Sequence, residues 1–158
     1  DDLLCVEIVG SGSYVCVGSQ EGLLHLFRFD NWGLPEDTLP GHSQSVDRIL
    51  KVSETAICTA SNDGLIRLVR LLPNKILGAV GDHDDSPVMA MSVDSTHGLM
   101  ASCAQDQSLR FWDVENIFQG RVPGLQTLEE EEDGSVMGGV DSVSSTKTGS
   151  SSDFFSGL

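Results

Sequence analysis

Ser102-Cys103-Ala104-Gln105-Asp106-Gln107-Ser108-Leu109-Arg110-Phe111-Trp112-Asp113 is the stretch that decides the fold, because it occurs three times in related form. It aligns without gaps on Thr59 to Arg70 (TASNDGLIRLVR) and on Val17 to Arg28 (VGSQEGLLHLFR). The acidic residues in the middle of the copies, Glu21, Asp63 and Asp106, stand 42 and 43 positions apart. Ahead of the second and third copies lie Gly41-His42 and Gly81-Asp82-His83, whose histidines are 41 apart. A fixed period of this length is the mark of one supersecondary unit repeated along the chain.

Each unit reads as strands. Tyr14 to Val17, Ala56 to Thr59 and Leu99 to Ser102 are short apolar runs, and Leu24-x-Leu26, Ile66-x-Leu68 and Leu109-x-Phe111 alternate with His25, Arg67 and Arg110. Gln20 to Gly22, Asn62 to Gly64 and Gln105 to Gln107 fall between them, and the Glu-Gly and Asp-Gly pairs supply the positive φ that a tight hairpin turn needs. A further run precedes each pair (Leu3 to Val9, Val46 to Val52, Val88 to Val93), and Lys75 to Gly81 offers a fourth. Four short antiparallel strands in about 42 residues predict a propeller blade, and the fold class is all-β.

With Gly-His ahead of the strands and Phe111-Trp112-Asp113 closing the third, the units resemble WD-repeat blades. The third unit carries the pattern in full, the second has Val69-Arg70 in place of Trp-Asp, and the first has Phe27-Arg28 and no Gly-His ahead of it. Residues 1–118 are covered: 1–40, 41–80 and 81–118. The resemblance implies the last three blades of a seven-bladed propeller, the remaining blades belonging to the same full-length chain. It also implies that the last blade borrows its outer strand from the chain's beginning. An open array would expose strand edges, so this stretch is not expected to fold alone as a finished molecule.

His83, Ser102 and Asp106 are the three side-chain types of a hydrolase triad. The resemblance implies instead a structural hydrogen-bond network, His83-Asp106-Ser102-Trp112, with His42, Thr59 and Asp63 at the matching positions of the second blade and Val69 where the Trp would stand. Buried hydroxyl and imidazole groups need partners for packing alone, and no Gly-x-Ser-x-Gly elbow supports a nucleophile here. No catalytic residue, metal ligand or cofactor is assigned. Asp82, Asp84 and Asp85 around His83 lack EF-hand spacing and read as a solvated loop. His25 reads as a polar, solvent-facing strand position shared with Arg67 and Arg110, His97 as a turn residue, and Trp32 as a loop residue that packs on a blade edge or serves a partner.

The resemblance places Gln20, Ser43, Ser45, Asn62, Asp84, Ser86 and Gln105 on the partner-facing end of the blades. A narrower resemblance, carried by Asn62 to Arg67, Leu71 to Gly78, Val80 to His83 and Ser152 to Leu158, is to a WD-repeat family associated with the nucleolus and ribosomal RNA processing. It implies a scaffold binding pre-ribosomal assembly factors, in nucleus and nucleolus and also the cytoplasm. The alternative is a substrate adaptor bound to the linker subunit of a cullin-type ubiquitin ligase; such adaptors often carry Arg two positions after Trp-Asp, and Glu115 stands there.

Composition narrows the classes. Twenty-four acidic against 9 basic side chains give the 158 residues a net charge of −15, so direct nucleic-acid binding is not expected. No apolar run reaches the roughly 18 residues of a helical membrane span. Cys5, Cys16, Cys58 and Cys103 form no C-x-x-C pair and read as buried free thiols of a reducing, intracellular setting. The charge divides as −10 over residues 1–118 and −5 over 119–158. The latter stretch holds 8 Ser and 7 Gly in 40 residues and an acidic block, Glu129 to Asp133, and is expected to be a disordered tail. Glu129 to Glu132 stand where the narrower family would carry a Lys/Arg-rich segment. Phe154, Phe155 and Leu158 read as anchors of a terminal docking peptide. The Asp1-Asp2 start, directly on strand-like sequence, points to a fragment.

Overall fold

A computed structural model describes residues 1–122. The acidic block and the Phe154, Phe155 and Leu158 anchors lie outside the described residues. Eleven strands occur among the described residues: β1 (Leu3–Val9), β2 (Tyr14–Ser19), β3 (Leu24–Arg28), β4 (Asp37–Leu39), β5 (Val46–Ser53), β6 (Ala56–Ser61), β7 (Leu65–Arg70), β8 (Lys75–Asp82), β9 (Val88–Val93), β10 (Leu99–Ala104) and β11 (Leu109–Asp113). They form three antiparallel meanders, β1-β2-β3-β4, β5-β6-β7-β8 and β9-β10-β11. These are three successive propeller blades. Among the described residues no strand pairs with the outer edge of β11.

The aligned stretches form the two middle strands of each sheet. Register pairs Thr59 with Arg67 and Ser102 with Arg110 at equivalent rungs. The connecting turns need a left-handed residue, and Gly22 (φ 78°) and Gly64 (φ 85°) supply it, with Gln107 (φ 63°) in the third blade. A Cβ on Gly64 would also lie 2.9 Å from the Asp85 backbone, because this turn packs under the loop entering the next blade. Both the dihedral and the contact demand glycine there.

Burial explains why the middle sheet reads as nearly continuous apolar sequence. Ile57 and Val69 face the first blade, where they pack with Cys16, Leu24, Leu26, Val46 and Leu71. Cys58, Ala60, Ile66 and Leu68 face the third, with Val80, Val88, Met100 and Trp112. A sheet buried on both faces has no solvent side to mark with polar residues. The outer sheets are covered on one face only. Leu4, Val6 and Ile8 of β1 are exposed, as are Leu99 and Leu109 of the third sheet.

Among the described residues after β11 none forms a fourth strand of this sheet. Val114, Ile117 of the short helix α1 (Glu115–Phe118) and Val122 enter the core between the second and third blades. Residues 119–122, which composition assigns to the tail, belong to this packed segment: Arg121 N–H donates to the Asn116 carbonyl at 2.9 Å, and Val122 is buried. The reason is local. Three apolar side chains at suitable spacing find an open seam, whatever the Ser/Gly content downstream.

Gly64→Ala is expected to lower stability by more than about 1 kcal/mol, whereas Gln107→Gly, which relieves a left-handed non-glycine residue, should raise it by up to about 1 kcal/mol. Urea denaturation of the two variants checks both signs.

Candidate interaction face and its buried network

In the third blade the loop before β9 delivers His83 against β10 and β11. His83 Nε2 lies 2.7 Å from Ser102 Oγ, which also accepts the Trp112 indole N–H at 2.8 Å. His83 Nδ1 lies 3.3 Å from Asp106 Oδ2. With Asp106 accepting from Nδ1–H, Nε2 is left to accept the Ser102 hydroxyl proton, so each polar group is satisfied. Ser108 Oγ caps Asp106 at 2.7 Å, and this bond, the Ser108 backbone N–H and His83 hold the Asp106 carboxyl down to about 2 against the opposing effect of desolvation. Gly81 is small for a reason: a Cβ there would stand 2.7 Å from the Trp112 ring.

The same atoms have the order of a Ser-His-Asp triad, but Ser102 is 1% exposed and its oxygen is held between imidazole and indole. A nucleophile must reach a substrate carbonyl beside oxyanion donors. The cleft of about 220 Å³ next to it is walled by Ala79, Val80, Gly81, Asp82, Asp84, Arg110 and Trp112, and Ser102 is not among its walls. The arrangement ties strands together.

The second blade keeps half of this pattern. His42 Nε2 lies 2.8 Å from Thr59 Oγ1. Asp63, expected to join His42, is taken by Arg67 through two bonds of 3.0 and 2.8 Å, by Ser43 Oγ at 2.5 Å and by the Leu65 N–H at 3.1 Å. His42 Nδ1 is buried without a hydrogen-bond partner. Val69 fills the Trp position and packs toward the first blade. A bidentate guanidinium outbids a neutral imidazole for a carboxylate.

Arg67 is therefore not the solvent-facing residue that strand alternation suggests; its side chain is 12% exposed. Arg110 at the equivalent position also folds inward, bonding the Asp82 carbonyl and Asp84 Oδ2 at 2.6 Å each and Asp106 at 3.5 Å. His25 pairs with Thr38 at 3.1 Å. The signal for the arginines was an Asp-x-x-x-Arg spacing across the turn in both blades, Asp63 to Arg67 and Asp106 to Arg110.

Comparison with known proteins agrees with this geometry. The family model described as WD domain, G-beta repeat matches residues 74–113. WD repeat-containing protein 55 of Pongo abelii is 34% identical over 157 residues, 99% of this chain and 39% of that protein. WD repeat-containing protein JIP5 of Cryptococcus neoformans is 35% identical over 120 residues, 75% of this chain and 32% of the relative. The C-terminal WD40 domain of Sif2 superposes with a TM-score of 0.63 at 23% identity, covering 73% of this chain and 32% of that one. These are WD repeats. The chain spans about two fifths of the length of the WD repeat-containing protein 55 relative.

In these WD blades the hairpin turns and the inter-blade loops share one end. Asn62 N–H donates to the Ser45 carbonyl at 3.1 Å, Gln105 N–H to the Pro87 carbonyl at 3.0 Å and Gln20 N–H to the Asp2 carbonyl at 2.9 Å. Gln20, Ser43, Asp84 and Gln105 are exposed there, and Ser45, Asn62 and Ser86 half-buried. Exposed Glu21, Asp82 and Asp85 make this end acidic, since Arg67 and Arg110 are consumed by their aspartates. All four cysteines are free, but only Cys16 and Cys58 are buried, Cys5 and Cys103 being half-buried; burial pushes the Cys16 and Cys58 thiols up to about 12 and Cys5 to about 11.

Two acid transitions follow. Burial lowers His42 to about 4, with Arg67 acting in the same direction and Asp63 opposing. The unfolded chain therefore binds the extra proton first, and stability should fall as pH drops from about 6.5 to about 4. Burial raises the Asp63 carboxyl, but the bonds from Arg67, Ser43 and Leu65 outweigh it and hold it well below the usual range. Its contribution is present above the unfolded pKa of about 3.9 and is lost below it. His42→Gln should flatten only the upper window and Asp63→Asn only the lower, measured as urea midpoints from pH 7 to 2. Separately, Ser102→Ala strands His83 Nε2 and Trp112 Nε1 and should cost about 2–6 kcal/mol for the two orphaned groups.

Proposed function

We propose that this chain forms part of a non-catalytic interaction scaffold acting in ribosomal RNA processing and ribosome production, in the nucleus and nucleolus with a cytoplasmic share. The observation that carries the reading is the division of labour within the blades. Every group resembling catalytic machinery is committed to holding strands together, while one end presents small polar and acidic side chains over consecutive WD repeats. Likeness to WD repeat-containing protein 55 supports a WD-repeat scaffold, and the ribosomal role is what the narrower family resemblance of Asn62 to Arg67, Leu71 to Gly78 and Val80 to His83 implies.

An acidic end suits Lys/Arg-rich protein partners such as pre-ribosomal assembly factors. The ubiquitin-ligase adaptor alternative gains no support: the position two after Trp112-Asp113 is Glu115, the first residue of α1. Depletion of the full-length protein should change precursor ribosomal RNA levels on a northern blot, and the protein should copurify with pre-ribosomal particles. Unchanged precursors together with capture of the ligase's linker subunit would reverse the order of the two readings.

A further inference from the structure

The connection between β3 and β4 carries apolar surface that no blade seam uses. Phe29, Trp32 and Leu34 are 47%, 55% and 79% exposed and belong to neither of the two cores. A ring contact and hydrogen bonds fix the two ends of the connection. The Phe29 and Trp32 rings meet edge to face at 5.2 Å. Phe29 N–H donates to the Ser13 carbonyl at 2.8 Å, Asn31 N–H to the Arg28 carbonyl at 3.0 Å and Glu36 N–H to the Leu26 carbonyl at 2.7 Å. Asn74 of the neighbouring blade donates to Asp37 at 2.8 Å. These bonds hold the loop from three sides, so a partner that binds it meets a preformed surface.

The position separates this surface from blade stacking. Blades pack through sheet faces, whereas residues 29–36 lie beyond the last rungs of β3, at the end opposite the hairpin turns of the acidic face. Exposed Trp and Phe side chains supply most of the binding energy where they meet a partner, and their ring faces attract cations. The charges alongside choose the sign. Within residues 28–37 the carboxylates Asp30, Glu36 and Asp37 outnumber the segment's one cation, Arg28, which pairs with Glu36 at 3.7 Å. Such a surround repels a phosphate backbone and attracts ammonium and guanidinium groups.

We propose that the Phe29-Trp32-Leu34 platform is a docking surface for a polypeptide segment in which apolar side chains alternate with Lys or Arg. The apolar side chain rests on the Trp32 and Leu34 surface while its basic neighbours reach Asp30 and the Glu36-Asp37 edge. The platform lies apart from the acidic blade end and does not depend on the ribosomal reading.

The test uses two indole N–H resonances of the ¹⁵N-labelled full-length protein, one from exposed Trp32, assigned by its loss in Trp32→Ala, and one from buried Trp112. Titration with the peptide Arg-Leu-Arg-Leu-Arg is expected to move the Trp32 resonance saturably and leave Trp112 in place. The peptide Glu-Leu-Glu-Leu-Glu and a uridine hexanucleotide should move neither. Asp30→Asn with Glu36→Gln should weaken the Arg peptide about 3- to 10-fold, as expected for two exposed charge pairs. Trp32→Ala should abolish binding by fluorescence anisotropy while the Trp112 resonance reports an intact fold. The proposal is overturned if the Arg peptide leaves Trp32 unmoved, if the Glu peptide or the oligonucleotide moves it as far, or if Trp32→Ala binds with full affinity. A Trp32 shift that tracks protein concentration without peptide would assign the platform to a second copy of the chain and equally overturn the proposal.

Discussion

Face-to-face burial of the middle sheet is the interaction on which the rest of the structure depends. Ile57 and Val69 look one way, Cys58, Ala60, Ile66 and Leu68 the other, and both sets are fully or almost fully removed from water. At roughly 25 cal/mol per Å² of apolar area, this non-directional attraction binds the blades into one body without specifying their angle. Geometry comes from the polar groups trapped in the same seams. His83, Ser102 and Trp112 have to find one another because burial leaves them no water, and their bonds then set how the loop entering a blade meets its inner strands.

The second and third blades solve that requirement differently, and the difference is electrostatic. In the third, the turn aspartate serves the histidine and Arg110 reaches chiefly toward Asp84 and the Asp82 carbonyl. In the second, Arg67 encloses Asp63 and the histidine retains only its threonine. Losing the indole donor and gaining a bidentate arginine replace a histidine–aspartate hydrogen bond by an arginine–aspartate ion pair. The two blades should therefore respond differently to acid while sharing one backbone. The same pairing neutralises the cations at the interaction end and leaves exposed carboxylates to define its field.

Much of the fold was legible because the period, the alternation and the Gly-bearing turns are local properties. Leu3–Val9 and Val88–Val93 end where their apolar runs end. The His83, Ser102, Asp106 and Trp112 set was legible because the WD pattern lists partners that the fold brings together. Arg67 was misread: alternation places it on the polar rungs of β7, and only the adjacent blade turns those rungs into an interior. Residues 119–122 were misread for the opposite reason, since composition averaged over 40 positions conceals Val122, whose burial depends on an open seam.

The amino-acid order alone determined that this is a repeating all-β chain with hairpins at Glu21-Gly22, Asp63-Gly64 and Asp106-Gln107, because strand pairing and turn chemistry are settled within each repeat of about 42 residues. Which polar side chains bond one another, that Arg67 and Arg110 close on aspartates, that α1 fills a seam and that Phe29 and Trp32 stand exposed together were decided by tertiary structure. Those outcomes turn on which groups lose water when one sheet is laid on the next, and that competition is absent until the sheets have packed.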